Sequence, residues 1–123
     1  MTTLSWIIQL VFGAVFFAHG VALIVKPATM RTQIDALPYG SGFLSFIGGC
    51  EVLGGVGLLL PMWTGSAPWL TPLAAAGLAI IMAGAVWTHV SANERLQITV
   101  TTFITLLLVL VVVVRWPLLK NLV

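Results

Sequence analysis

Only three acids and two histidines occur in the 123 residues of this chain, and one of the acids, Glu51, falls deep inside an apolar stretch. Apolar surroundings penalise an ionised carboxylate, so Glu51 is expected to be neutral, hydrogen-bonded or paired with a cation. Two kinds of chemistry suit such a group. It can tie two helices together as a protonated carboxyl, or it can hold a proton or anchor a polar ligand. His19 and His89 are the candidates to join it. Cys50 is its neighbour in sequence, but a thiol in apolar surroundings stays protonated and unreactive, and one cysteine makes neither an internal disulfide nor a multi-cysteine metal knot.

Depth decides which of these groups can meet. With helical rise, His19 lies roughly 9 Å below one membrane surface, Glu51 roughly 15 Å below the same surface and His89 only roughly 3 Å. Metal ligands must converge to about 2 Å from one ion, so the offset of roughly 12 Å between Glu51 and His89 argues against a His-His-Glu metal centre, and no metal is expected. His19 and Glu51 differ by roughly 6 Å, which two side chains bridge directly or through a water. The alternative for His19 is a bond to a backbone carbonyl within the bundle. His19, Glu51 and His89 are therefore the candidate proton-handling or ligand-binding residues.

Those depths require spanning helices, and the composition supplies them. The chain is 60% hydrophobic and 7% charged, against about a quarter charged in a soluble domain. A crossing takes about 20 apolar residues, so four crossings use about 80 and leave only short loops. The expected fold is all-α, an integral membrane four-helix bundle forming one transmembrane domain over residues 1–123. The formal charge of +2 rests on five basic residues, which leaves no basic stripe for nucleic acid.

The first span, about 4–25, belongs to a stretch without Asp, Glu, Lys or Arg from Thr2 to Val25, and reads as a helix rather than a leader. It stops at Lys26-Pro27, a snorkelling ammonium followed by a residue that cannot continue the helix. Ala28 to Gly40 is a polar loop or short interfacial helix. The second span, about 41–60, is expected to stop at Pro61. Pro61, Thr64-Gly65-Ser66, Pro68 and Pro72 break an uncharged run too long for one helix, which leaves a third span at about 72–90. The polar link Ser91 to Arg95 leads into a fourth at about 96–116. Trp6, Trp63, Trp69 and Trp116 fall on the side of the termini, as an aromatic belt. Arg115 and Lys120 stand against Lys26, Arg31 and Arg95 on the other side, a balance too even to set orientation.

Small residues fill the middle spans, where close backbone approach replaces the missing hydrophobic drive. Gly48, Gly55, Gly77 and Gly84 are the helix-packing candidates, either within the chain or at a homo-oligomer seam. Gly48, Glu51 and Gly55 share a helix face, which turns Glu51 toward a neighbouring helix. Ser41, Ser45, Thr88, Ser91, Gln97, Thr101, Thr102 and Thr105 cluster in the half that holds His19. They either line a polar half-cavity or bond their own helix backbone. Gln9 lies in the opposite half and suits an interhelical bond.

The run Gly48-Gly49-Cys50-Glu51-Val52-Leu53-Gly54-Gly55-Val56-Gly57-Leu58-Leu59-Leu60-Pro61 resembles the second-helix signature of the DoxX and DoxX-like membrane proteins. Gly77 to His89 is similar to the family's third-helix pattern ending in His, and Phe17-Ala18-His19-Gly20 to its first-helix element. The resemblance covers nearly the whole chain and departs from the pattern at Leu23, where a Lys is usual. It implies a four-helix bundle of the bacterial inner membrane, often partnered with other proteins, in a family linked to thiosulfate and quinone redox chemistry. Three functions follow as expectations. The first is an accessory or assembly subunit of a larger redox-linked membrane complex. The second is a quinone-linked oxidoreductase component with a proton-handling His/Glu site, drawing electrons from a partner; the third is an oligomeric small-molecule transporter.

Overall fold

The computed structural model describes residues 2–122. Helix α1 (Thr2–Val25) leads through a 3-10 turn (Ala28–Met30) and the short α2 (Arg31–Asp35) to α3 (Ser41–Thr64), α4 (Leu70–Ser91) and α5 (Arg95–Arg115), with a closing 3-10 segment at Trp116–Leu122. The protein is all-α, and α1, α3, α4 and α5 are long and apolar enough to cross a membrane. Helices suit such a sequence, because in hydrocarbon backbone N–H and C=O groups have to be satisfied within the protein and a helix pairs nearly all of its own. Many large apolar side chains point outward, among them Leu53, Trp63, Ile80 and Phe103, as lipid contact requires. It is a multi-pass membrane protein.

The spanning helices pack in chain order, α1 on α3, α3 on α4 and α4 on α5, with a shorter contact of α5 back onto α1. All four supply the core: Ile8 and Phe16 from α1, Leu58 from α3, Ala75, Leu78 and Met82 from α4, Leu108 and Val111 from α5. Helix α5 buries only Leu108, Val111 and Arg115, all in its second half, while Leu96, Val100 and Phe103 in its first half are exposed. The bundle is thus closed at the end bearing Trp6 and Trp116 and looser at the other. At that looser end α2 lays Ile34 over Leu23 and Leu44, so the leucine standing at the resemblance's usual lysine position is a packing residue.

Two connections differ from the sequence reading. Lys26 ends α1 with a left-handed backbone, φ 54. Its ammonium folds back to donate to Leu23 O at 2.7 Å and Ser45 Oγ at 2.9 Å, capping the helix where snorkelling was expected. Pro61 does not stop the second span, which continues to Thr64 and ends at Gly65 with φ 71, the left-handed position that glycine takes without a Cβ penalty. Proline removes the donor for the carbonyl four residues earlier, here that of Gly57. Thr71 Oγ1 of α4 donates to this oxygen at 3.0 Å, and Gln9 Nε2 of α1 donates to the next carbonyl, Leu58 O, at 2.6 Å. A neighbouring helix therefore satisfies the carbonyl the proline frees, Gln9 adds a second interhelical bond beside it, and α3 runs on.

Candidate functional site

The site is built on the α1–α3 seam. Gly13 lies against Gly55 and Gly20 against Gly48, seven residues apart in opposite directions along the two helices. A Cβ at Gly48 would stand 2.6 Å from Gly20 O, and one at Gly55 2.7 Å from Gly13 O, distances only glycine permits. Backbone contact at Gly20 and Gly48 brings the next residue, His19, within direct reach of Glu51, one turn along α3. His19 Nδ1 and Glu51 Oε2 are 2.6 Å apart and share one hydrogen bond.

The two partners have unlike surroundings. The Glu51 side chain is 2% exposed and the His19 side chain 48%. Helical spacing places His19 on the stripe of Phe12, Phe16 and Leu23, the face α1 turns inward, where Phe16 and Leu23 are both buried. The His19 side chain is nonetheless half-exposed, toward the end of the bundle where Leu96, Val100 and Phe103 of α5 are exposed as well. A carboxyl closed inside the bundle is thereby linked through one hydrogen bond to an imidazole that a ligand or another helix can touch. An imidazole can take a proton at one nitrogen and give one at the other, so a pair of this type has the groups needed to pass a proton.

Several hydroxyls of the same half are spent on their own helices. Thr88, Ser91, Thr99, Thr101 and Thr105 each donate to a carbonyl of their own helix four residues back, at 2.7–3.1 Å, so the own-backbone use holds for these five. Thr88 in turn accepts from Tyr39 Oη at 2.5 Å, its own hydrogen being spent on Gly84 O. His89 stands apart from the pair and bonds the carboxylate of Glu94 through Nδ1 at 3.0 Å, at the exposed end of α4. Among the described residues no three His, Cys, Asp or Glu side chains gather at one point.

Of the four packing glycines, Gly48 and Gly55 form the seam. Gly77 and Gly84 do not pack within the chain: a Cβ at either meets nothing within 4 Å, because both sit on the outer face of α4. Gly77 lines an apolar groove of ≈ 850 Å³ between α3 and α4, with Cys50, Leu53, Gly57, Pro61 and Ile81 among its walls. A smaller groove of ≈ 320 Å³ lies between α1 and α3 against Gly13, Phe17, Gly55 and Trp63. Neither is lined by His19 or Glu51.

Sequence reasoning missed two features. Gly13 and Gly20 are the α1 half of the seam, and their spacing of seven was the available signal. Arg115, read as an interfacial charge, is instead folded inward, 7% exposed. Its Nε donates to Gln9 Oε1 at 2.9 Å and its guanidinium lies over the Trp6 ring, 5.5 Å from the centroid. Arg115, Gln9, Leu58 O, Gly57 O and Thr71 form one polar layer that joins all four spans at the tryptophan end.

Residues 7–114 match the DoxX-like family. No curated protein and no solved structure matches the chain.

Proposed function

The chain belongs to the DoxX-like family, and we propose that it acts as a small accessory subunit of a redox-linked membrane complex, with the His19–Glu51 pair at the surface where it meets that complex. The observation that supports this reading is the half-exposed imidazole on the same face as buried Phe16 and Leu23. A polar ring left open at hydrocarbon depth is costly, and a partner helix seated against the uncovered first half of α5 would close it. The test is native mass spectrometry of the untagged protein, extracted from its own membrane in mild detergent. A fixed protein partner is the expected result; a chain that always emerges alone, without partner or bound cofactor, sinks the proposal. A bacterial inner membrane fits this reading, since that is where the family's resemblance places such complexes.

The 2.6 Å contact between His19 and Glu51 favours a second reading of the same pair, as the proton-handling element of a quinone-linked component. A quinone, when bound, supplies two-electron chemistry coupled to proton exchange. The donor set suits its carbonyl oxygens: His19 would hold one by hydrogen bond at the flank, while Glu51 keeps or releases the proton at Oε2 behind it. Bound quinone at one copy per chain in the same spectra would favour this reading over partner docking alone.

A further inference from the structure

We propose that Arg115 forms a binding site for a phosphate group at the tryptophan end of the bundle, and that its ligand is the phosphodiester of a phospholipid headgroup. The guanidinium is fixed at two points, by the bond from Nε to Gln9 Oε1 and by the Trp6 ring beneath it. Its Nη2 is buried and has no hydrogen-bond partner among the described residues. A guanidinium carries five N–H donors in a rigid fork that matches phosphate oxygens two at a time. Here Nε is used and the buried Nη2 is unanswered.

No side chain of the protein can supply the missing anion. The three acids are all elsewhere: Asp35 in α2 and Glu94 before α5 lie at the opposite end, and Glu51 is bonded to His19. The tryptophan end thus holds Arg115 and Lys120 with no carboxylate side chain to balance them. Depth selects the ligand. Trp116 follows Arg115 directly and Trp6 stacks on it, and tryptophans mark the headgroup level of a bilayer, where phosphodiesters are the most abundant anions. Because Arg115 keeps only 7% of its surface exposed, the headgroup is taken in between the first turns of α1 and the last of α5, which must part locally to admit it. Charge-assisted bonds of this bidentate kind are the strong ones, and lipid bound there would brace the contact between the two ends of the chain.

The experiment uses the full chain, delipidated in mild detergent, with thermal unfolding followed by circular dichroism and bound mass read by native mass spectrometry. Phosphatidylglycerol, diacylglycerol with the same acyl chains and inorganic phosphate are added in turn. Phosphatidylglycerol is expected to raise the unfolding midpoint by about 5 °C at saturation and to leave one lipid per chain, while diacylglycerol does neither. Arg115→Gln is expected to abolish both effects and Lys120→Gln to preserve them. An equal rise with inorganic phosphate would keep the site at Arg115 and make the free anion its ligand, overturning the lipid assignment. The site itself is overturned by an equal rise with diacylglycerol, by no rise, or by unchanged lipid binding in a folded Arg115→Gln protein. Should that variant not fold, the comparison of the two lipids on the wild-type chain decides.

Discussion

Thr71 Oγ1 donates to the carbonyl oxygen of Gly57 at 3.0 Å, the oxygen that Pro61 leaves without its helical donor. One helix thereby repairs another, and the repair predicts a coupled pair of substitutions. Thr71→Val should destabilise the bundle by about 1 kcal/mol, the usual size of an interhelical bond in a membrane. In a Pro61→Ala background, where Ala supplies its own N–H to Gly57, the same change should cost close to nothing. Reversible unfolding in detergent, run as a double-mutant cycle, measures the difference.

The glycines separate into two groups. Gly55→Leu and Gly48→Leu place side-chain atoms where backbone now stands at 2.7 and 2.6 Å. They are expected to cost at least about 2 kcal/mol by overpacking. Gly77→Ala and Gly84→Ala meet nothing within 4 Å and should stay within about 0.5 kcal/mol of wild type. If Gly77→Ala instead breaks up a complex isolated from membranes while the purified chain remains stable, the outer face of α4 is a contact with another chain.

For the His19–Glu51 pair, Glu51→Gln and Glu51→Leu give different signatures. Gln still offers His19 a hydrogen-bonding oxygen but cannot exchange a proton at that position. Stability and partner assembly should therefore survive Glu51→Gln. A proton-handling role predicts a turnover loss of about tenfold or more in the complex, with a changed pH profile. Glu51→Leu should weaken the α1–α3 seam as well. Equal turnover and pH profile for Glu51→Gln and wild type would leave the pair as a structural bond only.

Gln9→Leu removes the donor to Leu58 O and the acceptor for Arg115 together. A buried charge that loses its partner is expensive, so the expected loss is about 2–4 kcal/mol. Glu94→Gln breaks only the exposed contact with His89 and should change stability by less than about 0.5 kcal/mol. Parallel denaturation curves of the two variants test the contrast.

The sequence made the four spans legible because apolar length is a sufficient criterion in a bilayer, and depth arithmetic brought His19 to Glu51 while keeping His89 away. Other features depend on which helices become neighbours, and no local pattern encodes that. Pro61 looks like a stop until Thr71 and Gln9 are seen to serve the carbonyls around it. Arg115 reads as an interfacial charge until Gln9, 106 positions away, is found beside it. Gly77 resembles Gly55 by type and setting, yet one faces outward and the other a backbone. The threonines of α5 are ambiguous for a related reason: a hydroxyl on a helix always has its own carbonyl within reach.

The bond between Arg115 and Gln9 also constrains the order in which the protein is made. Its two ends are 106 residues apart, and translation delivers them at about 5–20 residues per second, so several seconds of synthesis separate them. The α1–α3 hairpin, with its glycine contacts and its His19–Glu51 bond, has all its residues in hand well before the last turn of α5 emerges. The bond between Gln9 and Arg115 therefore cannot form until the last turn of α5 has been made. A nascent chain held short of Arg115 would carry nearly all of α5, yet its Gln9 and Trp6 would still await their partner.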